Sequence, residues 1–304
     1  MADAENKSAG IAESKSAGIR DLGYARYDGP RLPPRRRYAV LAKQHLALFW
    51  RGGLVKAVLI VGMLPLLICA VVMYFKLQAA KALAASSFKY NLGSPPEQWI
   101  YNCVYWCQLW FGFAMSMLVA APAISDDVRT GAFHFYFARP VSKSHYAVGK
   151  LIAISTLIAV LAAGPGFLLG VMRLSLASGS DDALKSLPIL LAVLMYALLF
   201  AGTLTLPALA LSSLTSKTGH VMGGWAALFF LPWPLGEATA STADMPYVAL
   251  ISLPTDLRLV AQWLFGVTPS YDVPVAAPLG VLLAVCFGSA LVLRARLEKV
   301  EVFA

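Results

Sequence analysis

Few residues of this sequence have side chains able to do chemistry, and their spacing restricts what that chemistry could be. Asp126-Asp127 and Asp181-Asp182 are adjacent carboxylates, the ligand type for a magnesium-bound diphosphate in an intramembrane transferase. Such chemistry needs several acids converging from one side of the membrane. The four cysteines, Cys69, Cys103, Cys107 and Cys286, all stand in apolar stretches. Cys103 and Cys107 are four apart and share a helix face, but no histidine or second cysteine pair completes a metal shell, so they read as packing residues. His45, His134, His145 and His220 are scattered, and neither His-Glu-x-x-His nor Gly-x-Ser-x-Gly occurs. A protease or hydrolase therefore lacks its residues.

The elements that would position these groups are membrane spans. Of 304 residues, 59% are hydrophobic and 13% charged, about half the charged share of a soluble domain. The apolar residues gather into runs of about 20, the length that crosses a bilayer. The expected fold is an all-α integral membrane protein of about six transmembrane helices, near 54–75, 99–122, 148–171, 187–211, 220–230 and 275–293. Ahead of them, Val40, Leu41, Leu46 and Phe49 interleave with Lys43, Gln44, His45 and Arg51, which predicts an N-terminal helix lying in the interface. Between spans five and six, residues 235–272 mix short apolar pieces with Pro246, Pro254 and Pro269. Neither piece crosses a bilayer alone, which predicts re-entrant or interfacial helices.

Residues 1–37 are small, polar and charged, include one eight-residue duplication (4–11 and 12–19), and cannot bury a core. They lack the apolar centre of a signal peptide, so a disordered basic tail retained in the cytoplasm is expected, followed by one membrane domain over 38–304. The chain carries a net charge of +9, and ten of its lysines and arginines lie in the first 53 residues. With both termini inside, 18 of the 25 lysines and arginines fall on the inner side and six outside, with Lys56 within the first span. That split favours a cytoplasmic flank attracted to anionic lipid over a nucleic-acid face, for which groove-entering or aromatic reading elements are missing.

The most specific stretch is 123–150, between spans two and three. Asp126 and Asp127 precede Gly131; the aromatic run Phe133, Phe135, Tyr136 and Phe137 follows, then Arg139-Pro140-Val141-Ser142-Lys143 and Gly149-Lys150 at the entrance to the next span. Such a segment projects a short amphipathic helix and a rigid turn into water. It equally fits an ordinary loop whose charges stay wet and whose aromatics rest at the interface. Gly149-Lys150 is no phosphate-binding loop, because Ser144 stands where the first glycine belongs and Leu151 where serine or threonine is needed.

The pattern resembles the signature of ABC-2-type transporter permeases: an acid four positions before glycine, an apolar stretch, an (Arg/Ser)-Pro-Val-Ser-(Arg/Lys) turn and a Gly-Lys pair. Here these fall on Asp127, Gly131, residues 139–143 and Gly149-Lys150, with Ala132 and Asp127 where the family often has threonine and glutamate. The likeness extends over about 38–300. It implies a transmembrane subunit without catalytic residues, probing its partner through a coupling segment at about 123–146. Asp126, Asp127, Arg129, Gly131, Phe133, Arg139 and Pro140 are the candidate ATPase-coupling residues. ATP and magnesium would bind a separate ATP-binding cassette subunit, and a second permease copy or homologue would complete an exporter in a bacterial-type inner membrane. A scaffold or channel without an ATPase would use the same spans, and an intramembrane transferase is the alternative from a third class.

Overall fold

In a bilayer each backbone N–H and C=O must be satisfied within its own segment, so long apolar runs become helices. The computed structural model describes residues 37–84, 96–137, 142–177, 179–242 and 245–299, and no strand occurs among them. Residues 1–36, with most of the expected basic tail, lie outside the described residues. The helices are α1 (Arg37–Arg51), α2 (Gly53–Ala84), α3 (Glu97–Thr130), α4 (Ala132–Phe137), α5 (Lys143–Ser175), α6 (Ser180–Ser212), α7 (Thr218–Phe230), α8 (Pro232–Thr242), α9 (Leu253–Leu264) and α10 (Ala276–Glu298). Five are long and apolar enough to cross a membrane: α2, α3, α5, α6 and α10.

The described residues are thus all-helical, with five helices of membrane-spanning length and apolarity, as in a multi-pass membrane protein. The segment expected as span five is α7, only 13 residues long and too short to cross alone; Pro232 then opens α8 rather than a loop. α7 and α8 track along α3 in the opposite direction. Thr218 touches Asp126, Trp225 lies against Phe113 and Ser116, Phe230 stacks on Trp110, and Trp233 meets Trp106.

α3 and α6 form the centre of the bundle, with 61% and 56% of their most apolar windows buried, against 17% for α2 and 17% for α10. Close approach at the centre depends on glycine, as membrane helices gain little from apolar burial and associate by tight packing. A Cβ on Gly112 would lie 2.4 Å from Phe200 Cε1, and one on Gly166 would lie 2.4 Å from Val104 Cγ2.

α3 is not a uniform helix. Two π turns, Cys103–Cys107 and Ser116–Ala120, interrupt it, and neighbours tie down the irregular backbone, as such turns require. The Tyr105 hydroxyl donates to Pro254 O at 2.9 Å, Gln108 Nε2 donates to Gly62 O at 2.9 Å, and Trp225 Nε1 donates to Ser116 Oγ at 2.9 Å.

Candidate functional site

The connection between α3 and α5 begins with a helix end that backbone geometry defines. Gly131 has φ +67°, the left-handed conformation glycine adopts without steric cost, and its N–H caps α3 on the carbonyls of Asp127 and Val128. This reversal turns the short α4 back toward the bundle, so that its faces diverge. Phe133 is buried and packs edge-on to Tyr146 at 5.5 Å; Tyr136 lies 5.2 Å from the same ring and stacks on His45 at 6.2 Å. Phe135, on the other face, is 78% exposed.

The carboxylates divide in the same way. Asp127 Oδ2 accepts from Lys150 Nζ at 2.5 Å and from the Tyr146 hydroxyl at 2.5 Å. Lys150 is only 3% exposed, also donates to Ala123 O, and lies 4.9 Å from the centre of the Tyr146 ring. A buried ammonium is tolerable only when paired and hydrogen-bonded, and here both conditions hold. Asp126 points to the surface, pairing with Arg129 at 3.2 Å and accepting from Thr218 Oγ1 at 2.9 Å. Arg129 is exposed, and an exposed pair of this kind adds little stability.

Gly149 and Lys150 therefore have separate structural reasons. A Cβ on Gly149 would fall 2.8 Å from Leu41 Cβ, so glycine lets α1 seat on α5 while its neighbour clamps α3. α1 buries Leu41, Ala42 and His45 and leaves Val40, Leu48 and Trp50 exposed. His45 Nδ1 bonds Leu41 O at 2.8 Å, which makes Nδ1 the donor and leaves Nε2 to face the Tyr136 hydroxyl at 3.5 Å. Burial holds the His45 imidazole below its usual value, and burial with the nearby Asp127 charge pushes the Tyr136 phenol up, so both stay neutral at neutral pH.

Of the residues expected to couple, Asp127, Gly131 and Phe133 are inside this lock, while Asp126 and Arg129 lie on its outer side. Arg139 and Pro140 lie outside the described residues. The lock also uses residues that local sequence reading passed over. Ser212, at the end of α6, donates to Ala121 O at 2.6 Å and accepts from Ile124 N at 3.0 Å and Ser125 N at 2.9 Å. Ser212→Ala is expected to take from the Ile124 and Ser125 N–H groups their side-chain acceptor, while Ala121 O keeps the Ser125 hydroxyl, and to lower stability by about 1–3 kcal/mol, read as a shift in thermal unfolding of the detergent-solubilised protein.

The two acid pairs of the transferase reading are far apart. Asp126-Asp127 sit near Ser212, whereas Asp181-Asp182 open the same α6 at its other end, roughly 45 Å away at 1.5 Å per residue. Among the described residues no group of histidine, cysteine and carboxylate side chains is arranged to hold a metal. No protein-family model matches the chain, and no curated protein matches it.

Proposed function

We propose that this chain is the transmembrane subunit of an ATP-binding cassette transporter of the ABC-2 type, acting as an exporter. One observation supports the reading above others: the Asp127–Lys150–Tyr146 clamp braces the short α4, which holds Phe133 and Tyr136 inward and leaves Phe135 exposed, next to the exposed Val128, Arg129 and Thr130 at the end of α3. A helix braced against the spans α3 and α5 and against α1 moves as a lever with them; a loose loop would absorb the push of a partner. ATP and magnesium bind the partner subunit, and this chain supplies the docking helix.

In this reading α7 and α8 together make the sixth crossing, because their contacts with α3 run from Asp126 at one end to Trp106 near the other. The return of α10 fits: Lys143 at the start of α5 donates to Glu298 O at the end of α10 at 3.0 Å. Both termini then face the cytoplasm, in a bacterial-type inner membrane, consistent with the distribution of lysine and arginine. α1 lies at the lipid interface with Val40, Leu48 and Trp50 outward. Two such subunits, identical or homologous, form the pathway, and ATP-driven closure of the partners switches its access.

The test is co-purification with an ATP-binding cassette subunit encoded beside this gene. Phe135→Asp is expected to weaken that association at least about tenfold, as loss of an interfacial aromatic anchor does, while folding stability changes by less than about 0.5 kcal/mol because the site is exposed. Retention of the ATPase after Phe135→Asp and after deletion of 132–137, or ATP hydrolysis by the purified chain alone, would overturn the assignment.

A further inference from the structure

A second buried acid lies away from the lock, in α9. This helix is buried along its length from Leu253 to Gln262, and its polar side chains are anchored one by one. Ser252 caps it, accepting from Thr255 N at 3.3 Å and Thr255 Oγ1 at 3.2 Å. Pro254 O receives the Tyr105 hydroxyl, Arg258 pairs with Glu237 at 2.7 Å and lies 5.8 Å from the Tyr271 ring centre, and Gln262 holds Ser270 through both amide atoms at 2.8 and 2.9 Å. Asp256 differs from all of these. It is 0% exposed, and among the described residues no donor reaches either carboxylate oxygen.

The elements packed against α9 hold few groups that could balance a charge there. α3 brings Cys103, Tyr105 and Cys107; α6 brings Tyr196; α7 brings His220; α8 brings Glu237; the 3-10 turn Pro246–Ile251 brings Tyr247; and α10 brings Cys286, with Arg294, Arg296 and Glu298 at its far end. Glu237 and Arg258 are paired with each other, and none of these groups bonds to Asp256. The start of a helix favours an acid, but that contribution is small beside the cost of a buried carboxylate with no counter-ion and no hydrogen bond. The side chain that fits this position is the neutral carboxylic acid.

We propose that Asp256 is a proton-binding site: its proton holds α9 in the bundle, and loss of that proton releases the helix toward water. This inference is independent of the transporter reading. Burial pushes the Asp256 carboxyl up to about 8, against an ordinary aspartate near 4. The folded form then holds a proton that the released form gives up, so closure weakens as pH rises from about 4 to about 8 and levels off beyond.

Hydrogen exchange of 253–264 in the full-length protein in lipid nanodiscs, corrected for intrinsic rates, measures the release. Between pH 6 and 9 the opening constant of wild type should rise on the order of 100-fold; in Asp256→Asn, which mimics the neutral acid, it should stay flat. Infrared spectra should show at pH 6 a protonated-carboxyl C=O stretch that fades in step with protection. If the variant does not fold, the wild-type pH series decides by itself. Protection independent of pH in wild type, or no protonated-carboxyl band at pH 6, would overturn the proposal.

Discussion

Lys150→Met should destabilise the protein by about 3–5 kcal/mol, the range for removing one member of a buried ion pair. Lys150 is 3% exposed and holds both Asp127 and the Ala123 carbonyl. Methionine fills most of the volume but leaves the Asp127 carboxylate with only the Tyr146 hydroxyl, and Asp127 is 18% exposed, so water reaches it poorly. Asp127→Asn combined with Lys150→Met removes the orphaned charge and should recover more than half of the loss. Thermal unfolding of the four proteins in one detergent measures the cycle. Equal losses for the single and double variants would mean that the pair does not organise this end of the bundle.

The second large effect is expected from a single methyl group. Gly112→Ala places a Cβ 2.4 Å from Phe200 Cε1 and 2.5 Å from Phe200 Cζ, with Leu204 Cδ1 3.1 Å away. Phe200 is fully buried between α3 and α6, so the ring has nowhere to turn without parting the two central helices. Overpacking of this kind costs about 1–3 kcal/mol, and Gly112→Leu should prevent assembly of the bundle. Phe200→Leu removes the ring edge that meets the new carbon and should restore a Gly112→Ala protein toward wild type. A Gly112→Ala protein as stable as wild type would show that α3 and α6 do not approach so closely.

The membrane character was legible because it depends on composition summed over about 20 residues, which neighbouring contacts do not alter. α1 was legible as a helix from its interleaved pattern, but its facing was not: His45, grouped with the polar residues, is buried, and Val40, grouped with the apolar ones, is exposed. The broken passage of α7 and α8 was not, since Pro232 in a sequence signals an interruption, whereas the packing of Phe230 and Trp233 on α3 carries the chain on in the same direction. In the lock, the left-handed turn at Gly131 could be read from residue type. The inward facing of Asp127 could not, because it depends on Lys150 twenty-three positions on, and Ser212 contributes from another helix with no local mark. Asp256 was hidden by its setting: the short apolar pieces of 235–272 predicted re-entrant or interfacial helices, but nothing local says that the acid lies on a face the rest of the bundle buries.

The seating of α1 on Gly149 also bears on the order of synthesis. Leu41 leaves the ribosome more than a hundred residues before Gly149 does, a delay of roughly 5–20 s at ordinary elongation rates of about 5–20 residues per second. For that interval Leu41, Ala42 and His45 lack the helix on which they finally pack. The amphipathic face of α1 is therefore completed late, and its final seating waits on the synthesis of α5.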